Sequence, residues 1–313
     1  MRYPDPRDHE SFDRNSGDRD SLNRGGRAGE PARDVERSRD PRDVFTRDLS
    51  LPRGREREPV FVRDRTCHLR GSESRLLGTV GAFRVVRADD LRDQTARPDP
   101  RDADLRHLRM EGLVETVAVE GHRHPVVTLT DRGRELLDEH RRRDGDRPQR
   151  FYAGVRKPRE LEHDAAVYRA YRKSADRLRE DGADVRRIVL DYELKAEYQT
   201  FLQERNRDRP DSDGRPDRDE DEVREWARVH ELPYFDERVH FPDVRIEYEV
   251  EGRTRYEDVE VLTPHYRGAH AAAAAKAGFT QYRVGAARIG GLGGRGSGSG
   301  RGRAGRGLAE ELL

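Results

Sequence analysis

Apolar residues recur at helical spacing in the middle of this chain, beginning with residues 72–83, where we predict a helix. A short second helix is predicted over 88–92. A third is predicted over 102–110, because acidic residues fall in its first turn, where the helix dipole favours them, and Gly112 follows its last turn. The spacing therefore predicts three successive helices.

The pattern then changes period. Residues 113–119 alternate apolar and polar side chains, a Gly- and Pro-containing turn follows, and 126–129 is a short β-branched run, so we predict a two-stranded hairpin. Thr130 can cap a closing helix, whose apolar face begins with Leu136 and Leu137. Helices, hairpin and closing helix thus follow one another within about 70 residues of sequence.

These motifs, and the Leu-Thr-x-x-Gly-x-x-Leu-Leu sequence over 129–137, resemble the winged-helix domains of bacterial regulators over about residues 63–143. The resemblance implies that the helix over 102–110 enters the major groove of DNA. The candidate DNA contacts are Arg97, Arg101, Arg106, His107, Arg109 and, in the wing, Arg123. Two alternatives are open: each arginine is a solvated surface charge, or the domain docks a protein.

A second folded region is predicted after a linker over 146–160. Its elements are helix 161–180, strand 187–193, helix 197–205, helix 220–230, strands 244–250 and 255–262, helix 269–277 and a last strand ending at Tyr282. An acidic loop over 208–219 interrupts the series, and its glycine comes too early for an EF-hand calcium loop. We therefore expect two domains, 59–145 and 161–286.

Without the inserted helices, the second domain has the order helix, strand, strand, strand, helix, strand. This order, with Pro242-Asp243 and Glu260 on neighbouring strands, resembles the PD-(D/E)xK nuclease fold. The resemblance implies that Asp243 and Glu260 hold Mg²⁺ or Mn²⁺. The lysine expected two residues after the acid is replaced by Leu262, which leaves Lys276 as the candidate lysine. Glu162 on the first helix is a further acidic candidate.

The same residues leave two other interpretations open. The domain can be a non-cutting DNA clamp that needs no cofactor, or Asp243 can turn the strand while Glu260 faces solvent. The neighbouring pair His163-Asp164 invites a role as general base, although a helix cap with a packed imidazole is the commoner role of such a pair.

The combination of a winged-helix region with a nuclease-like region also resembles the replication-relaxation family of bacterial plasmids and mobile elements over roughly residues 63–284. The matching motifs are His163-Asp164-Ala165-Ala166-Val167, Pro242-Asp243 and Glu260-Val261. Where that family has Glu-Val-Asp, this chain has Leu262 in the third position, which weakens the transfer of metal binding. The family implies DNA binding in the replication or transfer of a mobile element.

Composition limits the alternatives. Only 32% of the residues are hydrophobic and 40% are charged, and residues 1–58 and 287–313 have the composition of disordered tails, the second rich in Gly and Arg. The 63 basic residues balance 63 acidic ones, so affinity for a polyanion must come from local segregation of charge. With no long apolar run and no secretory signal, we expect a cytoplasmic protein without a membrane partner.

The sequence thus predicts an α+β multidomain protein with an N-terminal winged helix-turn-helix and a C-terminal nuclease-like domain. The leading hypothesis is a binder of double-stranded DNA whose second domain contacts DNA without cutting it. The alternatives are a metal-dependent endonuclease that uses Asp243 and Glu260, and a transcriptional regulator whose second domain dimerises or senses a ligand. A homodimer is compatible with all three.

Overall fold

Helices and strands alternate along a computed structural model of the chain, so the predicted α+β class is confirmed. The structure describes residues 40–63, 65–91, 101–119, 125–142, 147–156, 160–206, 218–263 and 268–284. All of these residues belong to one compact unit. Among them, no helix is both long and apolar enough to cross a lipid bilayer.

The first half contains a hairpin, three helices and a small sheet. Its elements are β1 (Glu58–Val62), β2 (Arg65–Leu69), α1 (Gly71–Phe83), β3 (Val86–Arg87), α2 (Arg101–Met110), β4 (Val114–Val117), β5 (Val126–Leu129) and α3 (Asp131–Glu139). β1 and β2 pair only with each other, whereas the other three strands form an antiparallel sheet in the order β3-β5-β4. β5 is central and buried along its whole length, which explains its unbroken run of apolar and β-branched residues.

The Leu-Thr-x-x-Gly motif fixes the start of α3. Thr130 Oγ1 accepts a hydrogen bond from Gly133 N at 3.1 Å and donates one to Gly112 O at 2.7 Å, so the predicted cap is confirmed and also ties α3 to the end of α2. A Cβ atom on Gly133 would lie 2.0 Å from Leu113 O. The motif therefore needs glycine because a helix and a strand approach each other closely there.

The boundary of the predicted N-terminal tail at residue 58 is wrong. Pro41–Thr46 forms a 3-10 helix capped by the side chain of Asp40, and it is followed by two buried leucines before β1. Phe45 is buried, with its ring centroid 5.4 Å from those of Phe83 and Tyr171. A few apolar residues within an Arg/Asp-rich stretch are enough to bring this segment into the core.

The second half is built on a four-stranded sheet. Its elements are α4 (Leu161–Glu180), β6 (Asp184–Leu190), α5 (Asp191–Gln203), α6 (Glu220–Val229), β7 (Tyr234–Phe235), β8 (Arg238–Val239), β9 (Val244–Val250), β10 (Arg253–Leu262), α7 (Gly268–Lys276) and β11 (Thr280–Arg283). The strand order is β11-β10-β9-β6, with β11 parallel to β10 and the other pairs antiparallel. β7 and β8 form a separate short hairpin.

The two faces of this sheet differ in chemistry. Ile188, Ile246 and Val261 belong to the same buried cluster as the apolar side of α4. The alternate positions carry charged pairs: Arg187 with Glu247, and Arg245 with Asp258. The two faces follow from the alternation of side chains along a strand.

The segment predicted as a linker, in its described part 147–156, packs between the halves. Gln149 Oε1 accepts a hydrogen bond from Ile188 N at 3.0 Å, and its Nε2 donates to Ile188 O at 3.2 Å, as an added edge strand would. Phe151 is buried, and the guanidinium of Arg84 lies 4.0 Å from the ring centroid of Tyr192 on α5. One buried cluster therefore spans both halves.

Some boundaries differ from the predicted ones. The strand predicted over 187–193 ends at Leu190, and α5 begins at once with Asp191 rather than at 197, because the acidic residues that follow suit the first turn of a helix. Residues 88–91 of the predicted second helix form turns. Most of the predicted acidic loop and all of the C-terminal tail lie outside the described residues.

Candidate functional site

The exposed side of α2 is basic. Ala103, Arg106, Arg109 and Met110 are exposed, whereas Leu108 is fully buried against the core. Met110, although apolar, is also 80% exposed on this side. Neither arginine forms an ion pair with another residue in the part of the chain that the structure describes. The helix thus presents two uncompensated cations to solvent.

The acidic side chain of Asp104 lies on the opposite side of α2. It is buried and forms an ion pair with Arg70, the residue before α1. Glu73 on α1 is also fully buried; it accepts hydrogen bonds from Arg57 Nη2 at 2.6 Å and from Arg70 N at 3.0 Å. The pair with Arg70 keeps the Asp104 carboxylate away from the exposed side of α2 and joins α2 to the start of α1.

His107 belongs to this internal network rather than to the exposed side. Its Nδ1 lies 3.0 Å from Glu73 Oε1, and its Nε2 lies 3.5 Å from Glu111 Oε1. His107 is therefore only partly exposed and faces two acidic side chains, and its contact with DNA stays a prediction. Of the other predicted contacts, Arg97 and Arg123 lie outside the described residues, as does the side chain of Arg101.

The two predicted acidic residues of the second half do come together. Asp243 immediately precedes β9 and Glu260 lies near the end of β10, and the antiparallel pairing of Val244 with Val259 brings these strand ends side by side. Asp243 Oδ2 accepts a hydrogen bond from Val261 N at 2.7 Å, which holds its carboxylate beside β10. Two carboxyl groups distant in sequence thus share one end of the sheet.

Glu260 is the more perturbed member of the pair. Burial, followed by the negative charge of Asp243, raises its pKa to about 8, against smaller opposing effects of His163 and Lys195. Its Oε2 is buried and has no hydrogen-bond partner among the described residues. A carboxyl group in this position is protonated at neutral pH unless a cation joins it.

His163 completes this carboxylate site, which consists of Asp243, Glu260 and His163. The imidazole Nε2, in the first turn of α4, donates to Asp243 Oδ2 at 3.1 Å, and Nδ1 lies 3.6 Å from Asp164 Oδ1. Burial lowers the pKa of His163, but the hydrogen bonds and charges of Asp164 and Asp243 outweigh burial and raise it to about 10. His163 is therefore a cation that orients Asp243, a role that its pairing with Asp164 alone did not reveal.

Lys276 lies apart from this arrangement. Lys276 Nζ is 3.0 Å from Asp236 Oδ1 and 4.3 Å from the ring centroid of Phe235, so it is engaged by the β7–β8 hairpin. Glu162 is exposed on α4. The second cation whose charge acts on Glu260 is instead Lys195 on α5, a residue that no sequence motif marks.

The carboxylate site fits a divalent cation in part. Mg²⁺ accepts one or two carboxylates and completes its shell with water and phosphate oxygens, and the unpartnered Oε2 of Glu260 beside Asp243 is such a ligand set. Among the described residues, however, no group of three or more His, Cys, Asp or Glu side chains is arranged to hold a metal ion. Water or substrate would have to supply the remaining ligands.

Comparisons with known proteins add no constraint: no family model, no curated protein and no solved structure matches this chain. The function must therefore be inferred from the basic side of α2 and from the carboxylate site.

Proposed function

We propose that this protein binds double-stranded DNA through α2. The observation that carries the proposal is the segregation of charge on this helix: Arg106 and Arg109 are exposed without ion pairs to described residues, while Asp104 is buried in an internal pair. Basic side chains that no neighbouring acid neutralises are what a phosphate backbone attracts. Because the chain has no net charge, such a local concentration is the physical route to DNA affinity.

The arrangement around α2 supports this proposal. α1 precedes the sheet, α2 is followed directly by the β4–β5 hairpin, and the strand order is β3-β5-β4. In a winged helix, this order places one helix for the major groove and a hairpin beside it. We extend the proposal to the replication-relaxation resemblance: a cytoplasmic DNA-binding protein of a plasmid or integrative element, whose second half is an additional DNA contact.

The test is a mobility shift of the full chain with duplex DNA. The variant in which Arg101, Arg106 and Arg109 are changed together to Gln should lose at least tenfold in affinity, because three cations of α2 are removed together. The matched control changes Arg179, Arg224 and Arg228, which are exposed on α4 and α6 and paired with nearby acids, to Gln. Equal affinity of the α2 variant and the control variant would refute the proposal.

A second candidate function is hydrolysis of a phosphodiester at the carboxylate site. The observation in its favour is the buried, unpartnered Oε2 of Glu260 beside Asp243, a polar atom that a cation would satisfy. A bound Mg²⁺ or Mn²⁺ would supply Lewis acidity toward the phosphate and an activated water. In this chain, Asp243 and Glu260 would bind the ion, and His163 and Val261 N would hold the Asp243 carboxylate in place.

Incubation of supercoiled and linear DNA with Mg²⁺ or Mn²⁺ tests this candidate. We expect cleavage by the wild-type chain, at least a 100-fold loss in Asp243→Ala, and no loss in the control Asp236→Asn, whose carboxylate lies on the separate hairpin. If the wild-type chain does not cut, or if Asp243→Ala cuts equally fast, the second candidate is wrong, and the DNA-binding proposal is unaffected.

A further inference from the structure

The carboxylate site receives no positive charge from the positions that the sequence favoured. Position 262 is a buried leucine, and Lys276 is held at the β7–β8 hairpin by Asp236 and the ring of Phe235. With Asp243 and Glu260 both ionised around a metal ion, an approaching phosphate group would still meet their negative charge unless a further cation lies nearby. Another residue near the carboxylate site would therefore have to supply that cation.

The first turn of α5 lies against this end of the sheet. Asp191 N donates to Asp243 O at 3.2 Å, so the helix begins in contact with the carboxylate site. Lys195 follows one turn later on the same side of α5, and its Nζ lies 2.6 Å from Asp191 Oδ2. The lysine is thus held near Asp243 by a chain of two contacts.

Lys195 is also accessible and acts electrostatically on the site. Its side chain is 54% exposed, so a solute can reach its ammonium group. Its positive charge opposes the rise in the pKa of Glu260, as does that of His163. His163 is committed to Asp243 and Asp164, which leaves Lys195 as the cation with room for a new partner.

We propose that Lys195, and not Lys276, binds the substrate phosphate beside Asp243 and Glu260. The proposal rests on the second candidate function. In this arrangement, the ammonium group of Lys195 turns from Asp191 to a phosphate oxygen when DNA enters, and no covalent bond is made or broken by the lysine. Its compact charge and flexible stem suit such an exchange of partners.

The chain contains only four lysines, at 157, 173, 195 and 276, which makes a direct test practical. Reductive methylation with ¹³C-formaldehyde keeps the charge of each lysine and gives each its own NMR resonance, which single Lys→Arg variants assign. Above pH 8, where Glu260 is ionised without a metal ion, we expect the Lys195 resonance to shift in Glu260→Gln. We also expect it to shift when a short DNA duplex is added in EDTA. The resonances of Lys276 and Lys173 should shift in neither experiment.

The NMR result decides the proposal even if the protein never cuts DNA. A Lys195 resonance that ignores Glu260→Gln would show that the lysine does not face the carboxylate site. A resonance that responds to Glu260→Gln but not to DNA would show that it binds no phosphate. Either result, or a shift of Lys276 instead, overturns the proposal.

Cleavage assays then separate this proposal from the candidate function on which it rests. If the wild-type chain cuts DNA, Lys195→Gln should cut about 100-fold more slowly, the loss expected when one charged donor to a transition state is removed, and Lys276→Gln should match the wild type. Equal rates for Lys195→Gln and the wild type would also overturn the proposal. If the wild-type chain does not cut, the second candidate function fails, and the NMR shifts alone decide the phosphate contact.

Discussion

Replacement of Glu260 by Gln should stabilise the protein at neutral pH, and the gain should grow with pH. The pKa of Glu260 is raised from the ordinary value of 4.5 to about 8, so its proton binds more tightly in the native state than in the unfolded state. The contribution of the protonated Glu260 to the stability of the native state is complete below pH 4.5 and is lost as the pH rises through 8. Above pH 4.5 the native state must either keep the proton or bury a charge. Glutamine is neutral at every pH.

The magnitude follows from the shift. Between pH 4.5 and the raised pKa of about 8, each pH unit lowers the free energy of unfolding of the wild-type protein by about 1.4 kcal/mol. At pH 7 the difference between Glu260→Gln and the wild type should therefore be about 3 kcal/mol, and near pH 4.5 it should vanish. These figures apply in EDTA, because a bound cation would neutralise the site.

Urea denaturation at several values between pH 5 and pH 8, followed by the fluorescence of Trp226, the only tryptophan of the chain, measures this difference. The control Glu180→Gln changes an exposed carboxylate at the end of α4 and should alter the free energy of unfolding by less than about 0.5 kcal/mol. A difference between Glu260→Gln and the wild type that stays constant from pH 5 to pH 8 would refute the burial and charge argument for Glu260.

Three further changes test other parts of the structure by the same denaturation measurement. Glu73→Gln removes the buried charge that Arg57 and His107 share and should cost about 3 kcal/mol; a loss below 1 kcal/mol would show that the network is loose. Gly133→Ala places a methyl group 2.0 Å from Leu113 O and should cost about 3 kcal/mol, unless α3 shifts freely. Because the pKa of His163 is raised from 6.5 to about 10, its stabilising effect is complete below pH 6.5 and lost as the pH rises through 10. His163→Asn should therefore destabilise the protein more at pH 6 than at pH 10, and an equal loss at both would contradict the ion pair with Asp243.

The sequence predicted correctly those helices and strands whose apolar spacing, caps and end residues lie within a few neighbouring positions. α4 spans the predicted residues 161–180 because its apolar side repeats over five turns and Gly182, with a φ of +78°, follows it. Thr130 caps α3 as predicted, and β9 and β10 lie where alternating residues placed them. By contrast, the β1–β2 hairpin was not predicted, since each strand has only five residues and two buried positions, separated by exposed Phe61 in β1 and exposed His68 in β2.

The candidate site was only partly predictable because its members meet through tertiary packing. Strand pairing brought Asp243 to Glu260 as the motif implied, but His163 reaches Asp243 across 80 positions of sequence. The sequence did not indicate Lys195, because the predicted strand ended at residue 193 and the next predicted helix began at residue 197. The lysine therefore lay in neither predicted element, whereas in the structure it belongs to α5. The i, i+4 pairing of Asp191 with Lys195 was the available sign that a helix starts at the end of β6.

The salt dependence of duplex DNA binding tests the central proposal most directly. In fluorescence anisotropy titrations of the full chain, Arg106→Gln/Arg109→Gln should bind more weakly than the wild type at every salt concentration. The slope of log affinity against log salt should fall by about 1.8, since each lost phosphate contact removes about 0.9. An unchanged affinity and an unchanged slope would contradict the proposal that α2 contacts DNA.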